Sequence, residues 1–256
     1  MPNDSKSTWI IDLDGVIWLA DHPIPGSPEA VDRLRAGGVR PLFVTNNSSL
    51  TVEQYLAKLA GMGVQASADE LVTSAQAAAS LLEPGTSAVL CAGPGAEEAL
   101  RSNGVEVRSE GPADVVVVGW HRDFDFHRLT VACRAVWSGA RLVATNEDAT
   151  YPTPDGLLPG AGSILAAVTT ATAATPVIAG KPHQPIVDLL HKRAPNIELV
   201  VGDRVNTDGL LARRLQVPFG LVLSGVTRSA DEAAEVNPVE VAPDFARLVA
   251  RRGGHR

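Results

Sequence analysis

Asp12 and Asp14 are two carboxylates separated only by Leu13, and they follow directly on the apolar run Trp9-Ile10-Ile11. That run is short and partly β-branched, which predicts a buried strand. Side chains two apart on a strand point the same way, so both carboxylates face one crevice. Crowded carboxylates repel, and a cation or a proton must hold them. A hard divalent ion such as Mg²⁺ suits an all-oxygen site and brings phosphate with it. Gly15 then lets the chain turn sharply away. A strand ending in a plain Asp-Gly turn would leave the same residues, so other parts of the chain must decide.

Three more polar clusters follow apolar strand patterns. Arg40–Val44 ends in Thr45-Asn46-Asn47-Ser48-Ser49. Val177–Ala179 runs into Gly180-Lys181-Pro182. Ile197–Val201, the strongest strand pattern of the second half, ends in Gly202-Asp203 with Asp208 a little beyond. Each cluster alone is an ordinary turn, helix start or surface loop. Their joint occurrence, each after a strand, predicts one site at the carboxyl edge of a sheet. There Asp12 is the candidate nucleophile, forming an aspartyl-phosphate. Asp14 is the candidate acid for the leaving alcohol and base for the hydrolytic water. Thr45 and the N–H of Asn46 would hold phosphoryl oxygens, and Lys181 would neutralise charge and restrain Asp12. Asp203 would complete a Mg²⁺ site, with Asp208 orienting it from behind.

Strand and helix patterns alternate along the whole chain, which predicts an α/β protein with a mainly parallel sheet. Ser27 and Pro28 read as N-cap and first position of a helix ending at Gly37-Gly38, and Thr51 with Gln54 as a capping box. Ser74–Leu82 is Ala-rich and helical. Further strands are expected at Ala88–Cys91, Val115–Val118 and Leu142–Ala144, and helices at Gly95–Asn103, Phe126–Trp137 and Ser163–Ala173. Tyr151–Gly162 reads as a Pro/Gly/Thr-rich loop, and Gly160–Ser163 as a tight turn opening a helix. Breaks at Glu83-Pro84-Gly85 and Ala173–Pro176 divide the chain into a discontinuous core, 1–83 and 176–256, and an inserted domain, 84–175.

The 256 residues are 45% hydrophobic and 20% charged, enough to bury a sizeable core. A net charge of −7 argues against a nucleic-acid polymer as partner. Cys91 and Cys133 lie in apolar surroundings and read as reduced thiols. The start MPNDSKSTW lacks the apolar core of an export signal, and no run reaches membrane-spanning length. A cytoplasmic protein with no membrane partner is expected.

DLDGV, FVTNNSS, AGKP and GDRVNTD resemble the four motifs of haloacid dehalogenase-like (HAD) phosphatases. TNNSS, the insert position, ATNED and PGAGS resemble the NagD-like subfamily, class IIA, as do Trp18 after DGVI, Ser74-Ala75 and the run Leu223-Ser224-Gly225-Val226-Thr227. The resemblance covers nearly the whole chain. It implies a Rossmann-like core, an α/β cap inserted between the second and third motifs, and Mg²⁺ bound by Asp12, the backbone carbonyl of Asp14, and Asp203. Asn206 stands where many relatives carry Asp, which removes one charge beside the metal loop.

By position in the family's cap loops, Trp120, His121 and Arg122 on one side and Asn146, Asp148 and Tyr151 on the other would select the substrate. Trp120 and Tyr151 would flank its organic part, and Arg122 or His121 would meet an anionic group. Relatives usually carry Asp-Arg where this chain has His121-Arg122. The expected partner is a small phosphorylated metabolite: a glycerol, sugar, glycolate, nucleotide or pyridoxal phosphate. A homodimer through the cap is compatible with the family. The alternatives are a HAD-like protein that binds a phosphorylated ligand without turnover, and a phospho-acceptor signalling module.

Overall fold

The computed structural model describes residues 7–153 and 155–253. The first six residues of the stretch read for an export signal, and the tail from 254 onward, lie outside the described residues.

Two parallel sheets form the molecule. In the larger, six strands lie in the order Glu240–Ala242, Phe219–Val222, Ile197–Gly202, Thr8–Ile11, Arg40–Thr45 and Leu71–Thr73. In the smaller, five lie in the order Val177–Ile178, Arg141–Ala144, Val115–Val118, Ser87–Cys91 and Glu106–Arg108. Helices connect the strands and cover the faces, so the central strands are largely apolar. Val115–Val118 is four buried valines in a row, as a strand covered on both faces requires. This is the Rossmann-like core and α/β cap that the sequence predicts.

The two units share apolar packing. The Ala-rich helix Ser74–Ala79 lies against the helix Pro94–Ser102, and one cluster of buried residues runs from Ile10 and Leu42 through Ala78 and Leu100 to Val117. Small alanine side chains let these two helices approach closely.

Sheet membership changes between Thr73 and Ser87 and returns after Ile178. Val177 and Ile178 pair with Val143 and Ala144, so they extend the smaller sheet, although a boundary at 176 assigns them to the core. The Ala173–Pro176 break leads into a last cap strand and does not mark the crossing itself. Tyr151–Gly162 is likewise more ordered than a loop. Thr150–Thr153 and Gly156–Pro159 form an antiparallel hairpin, and Gly160 caps the helix Ala161–Thr172.

The Thr51–Gln54 capping box is present. Ser27, expected as an N-cap, is instead the first helical residue. Gly26 caps with φ +81°, and the Ser27 hydroxyl donates to the Val16 carbonyl at 3.0 Å. Cys91 and Cys133 are buried free thiols, and burial pushes Cys91 up to about 12. Among the described residues no helix is long and apolar enough to cross a membrane.

Candidate active site

Register brings the acidic motifs together. Ile11 pairs with Val201 on one side and Phe43 on the other, so Asp12, Asp203 and Thr45 leave the sheet at one edge. Gly15 turns the chain out with φ +87°, and a Cβ there would stand 2.6 Å from Asp203 Oδ2. A wide π-turn at Val205–Gly209 folds Asp208 back over Gly202, where a Cβ would stand 2.2 Å from the Asp208 Cγ. Glycine at both positions is therefore a requirement of close approach.

Lys181 is the charge centre. Its ammonium donates to Asp12 Oδ1 at 2.5 Å, Asp208 Oδ1 at 2.6 Å and the Val44 carbonyl at 3.2 Å. Burial lowers the lysine's pKa, but Asp12 and Asp208 outweigh it and the net shift is upward. Three donors are matched to three acceptors, so the buried ammonium is fully satisfied.

Asp12, Asp203 and Asp208 offer carboxylate oxygens all within 4.8 Å of one another. Burial raises Asp12 well above the usual carboxylate range, with Lys181 pulling it back and Asp208 and Asp203 adding to the rise. Burial, then the Asp208 charge, pushes Asp203 up to about 7. Asp203 Oδ2 accepts from the Val226 amide at 2.5 Å, whereas Oδ1 is buried with no partner. Asp208 is spoken for: Lys181 holds one oxygen and the Arg204 amide the other, at 3.1 Å. The residues therefore fit a hard divalent cation between Asp12 and the orphaned Asp203 oxygen, with Asp208 bonded to Lys181 behind them. Asn206 is exposed and stands apart from these buried carboxylates.

Above this floor is a cavity of about 50 Å³. Asp12, Asp14, Thr45, Asn46 and Lys181 line it from the core; Trp120, Asn146, Asp148 and Tyr151 line it from the cap. His121 and Arg122 do not. They border a neighbouring hollow with Lys58 and Gln54, and among the described residues Asp14, Asn47, Trp120 and Tyr151 border both spaces. His121 Nδ1 faces the Gly119 carbonyl at 2.9 Å, so it carries the proton there, and burial lowers the ring's pKa. Trp120 and Tyr151, expected to flank a ring of the substrate, stack on each other with centroids 4.9 Å apart.

A polar seam joins cap to core. The Asn46 side chain accepts from the Lys181 amide at 2.7 Å and donates to Asp148 at 3.1 Å and to the Lys181 carbonyl at 3.1 Å. Asn146 donates to the Asn46 carbonyl at 2.6 Å. Ser48 and Thr145 hydroxyls meet at 2.9 Å, and Arg204 donates to the Thr150 carbonyl at 3.2 Å. Burial raises Asp148, against the pull of Arg204 and the Asn46 amide.

Several contributors carry no chemical signature in the sequence. Arg204 and the Val226 amide act through backbone groups or one long side chain. Trp18 offers a faint signal: a tryptophan four residues after an aspartate, in a chain that is only 4% aromatic.

Two family models match the chain, Haloacid dehalogenase-like hydrolase over residues 9–106 and HAD-hydrolase-like over 178–248. An acid sugar phosphatase from Staphylococcus saprophyticus is 32% identical over 251 residues, covering 94% of this chain and 96% of that protein. The chain belongs to the haloacid dehalogenase-like hydrolases. Within them it is a phosphatase of the NagD-like class IIA. The structure of a p-nitrophenyl phosphatase from Archaeoglobus fulgidus superposes with a TM-score of 0.87 at 31% identity, over 96% of this chain and 99% of that one. A glycerol phosphate phosphatase from Mycobacterium tuberculosis, solved with magnesium, gives 0.87 at 34% identity, over 95% of this chain and 76% of that one.

Proposed function

We propose that this HAD-like phosphatase hydrolyses small-metabolite phosphomonoesters through an aspartyl-phosphate on Asp12, with Mg²⁺ held by Asp12, Asp203 and the Asp14 backbone carbonyl. One observation carries the reading. Asp12, Asp14, Thr45 and Lys181 line a single small cavity, and the unpartnered Asp203 oxygen is buried beside Asp12.

An Asp12 carboxylate oxygen bonds to phosphorus as the bond to the leaving oxygen breaks, and Asp14 gives that oxygen its proton. Asp14 then takes a proton from water as the water oxygen bonds to phosphorus and Asp12 departs as carboxylate. Lys181 pulls Asp12 toward its ionised form before attack and aims it at phosphorus. The Thr45 hydroxyl accepts from the Asn47 amide at 3.1 Å, so its own hydrogen can turn to a phosphoryl oxygen. Mg²⁺, when bound, supplies further neutralisation of the charge gathered on the phosphoryl group. The Trp120–Tyr151 stack helps to exclude water.

Alkyl phosphates of the glycerol or sugar type are the proposed substrates, as the names of the relatives indicate. The test is turnover of glycerol phosphate, sugar phosphates and p-nitrophenyl phosphate with and without Mg²⁺. Wild type turns over repeatedly with the metal, and Asp12→Asn loses at least about 10³-fold in kcat. Activity surviving in that variant would overturn the mechanism.

A further inference from the structure

Asp14 is held in an asymmetric way. The Trp18 indole N–H donates to Asp14 Oδ1 at 2.9 Å, and the Tyr151 hydroxyl donates to the same oxygen at 2.9 Å. Among the described residues no donor reaches Oδ2. An indole nitrogen can only donate, so the direction of the Trp18 bond is unambiguous. Tyr151 is also fixed as a donor: burial, then the Asp14 charge, raises its phenol far above the ordinary range.

Both donors are themselves anchored. Trp18 is fully buried, with the Lys58 ammonium 4.6 Å above its ring. Tyr151 stacks on Trp120, whose indole N–H donates to the Pro159 carbonyl at 2.9 Å across the hairpin. Trp18 comes from the core and Tyr151 from the cap, and they converge on one atom.

We infer that Asp14 moves protons through Oδ2 alone, and that Trp18 and Tyr151 are positioning residues that fix which oxygen does so. The inference rests on Asp14 being the acid and base of the proposed phosphatase reaction. An oxygen accepting two hydrogen bonds has no room for a proton of its own, so a protonated Asp14 carries it on Oδ2. In the first step the Oδ2–H bond breaks, the leaving oxygen gains that proton, and its electron pair comes from the breaking P–O bond. In the second, Oδ2 takes the proton of the attacking water while Oδ1 stays bound to both donors. Tyr151 reaches Asp14 only while the cap hairpin lies against the core. The full pair of donors, and with it the aim of the acid, is therefore assembled only in the closed molecule.

Leaving groups of different quality test this. Nitrophenolate departs with little help from an acid, whereas an alkoxide needs a proton. The measurement is kcat/KM, which reports the steps through leaving-group release, for Tyr151→Phe and Trp18→Phe. The two substrates are p-nitrophenyl phosphate and the better of glycerol phosphate and a sugar phosphate. The ratio of alkyl to nitrophenyl kcat/KM is expected to fall at least about tenfold in each variant. A variant that merely loosens the fold lowers both values together. Tyr151→Phe removes one hydroxyl from a half-buried ring and decides the matter if Trp18→Phe does not fold. An active wild type with an unchanged ratio in Tyr151→Phe overturns this inference and leaves the phosphatase reading standing. A wild type inactive on both substrates overturns both.

Discussion

Single residues here are tuned for a cation. Asp12 and Asp203 are held above the ordinary carboxylate range, chiefly by burial. A carboxyl with a raised pKa in the folded protein keeps a proton that the unfolded chain gives up near pH 4, at about the ordinary carboxylate value. Its contribution to stability is therefore complete below that point and is lost as pH rises through the folded value, about 7 for Asp203. Protein stripped of divalent metal by EDTA is expected to lose melting temperature between about pH 4 and pH 7. Mg²⁺, binding only the folded site, should restore it, and the gap between the two samples should widen with pH. Melting curves at several pH values check this. A gap that stays constant would contradict the account. Asn206, read in the sequence as a lost charge beside the metal loop, is exposed, whereas Asp203 and Asp208 on either side of it are buried.

Short elements do much of the positioning, and they were the hardest to read. The Ser224–Thr227 loop closes over Asp203. A Cβ on Gly225 would lie 1.9 Å from Asp203 Oδ2, and the Val226 amide donates to that same oxygen. Gly225→Ala should push the loop off the carboxylate and raise the Mg²⁺ concentration for half-maximal activity by about tenfold or more. Gly61→Ala is the control, because nothing lies within 4 Å of a Cβ there. Titrating activity with Mg²⁺ compares them, and equal midpoints would show that Gly225 is not needed. The catalytic motifs were legible because each follows a strand apolar enough to announce itself. Three of the edge strands were not. Leu71–Thr73, Glu106–Arg108 and Glu240–Ala242 each hold three residues, too few for periodicity to show. The hairpin after Asp148 was masked by prolines, and its exposed Leu157 broke the pattern of a buried strand. Trp18 follows DGVI as in the family pattern, but its bond to Asp14 depends on a turn that local sequence does not specify.

At the scale of the molecule, cap and core meet around a cavity of about 50 Å³. The Trp120–Tyr151 stack lines it on the cap side, beside Asp14, so an inorganic phosphate on the core floor would be enclosed between cap and core. Inorganic phosphate with Mg²⁺ is therefore expected to slow amide hydrogen exchange in 45–49 and 150–159, while glycerol alone does not. Mass-resolved exchange measures it, and equal rates with and without phosphate would contradict a closed product state. The smaller sheet also ends in an unusual place. Its last strand, Val177–Ile178, is joined to Lys181 by Ala179 and Gly180 alone. Gly180 has no slack, since a Cβ there would stand 2.5 Å from both Asn46 Oδ1 and the Thr145 carbonyl. In mechanical terms, a lid that swung about this junction would be pivoted beside the charge it covers. Displacement in a rotating body grows with distance from the pivot. A small swing of the sheet would lift the hairpin widely at the far rim while Lys181, close to the axis, stays on Asp12. A molecule built this way would open its mouth without loosening Lys181 from Asp12.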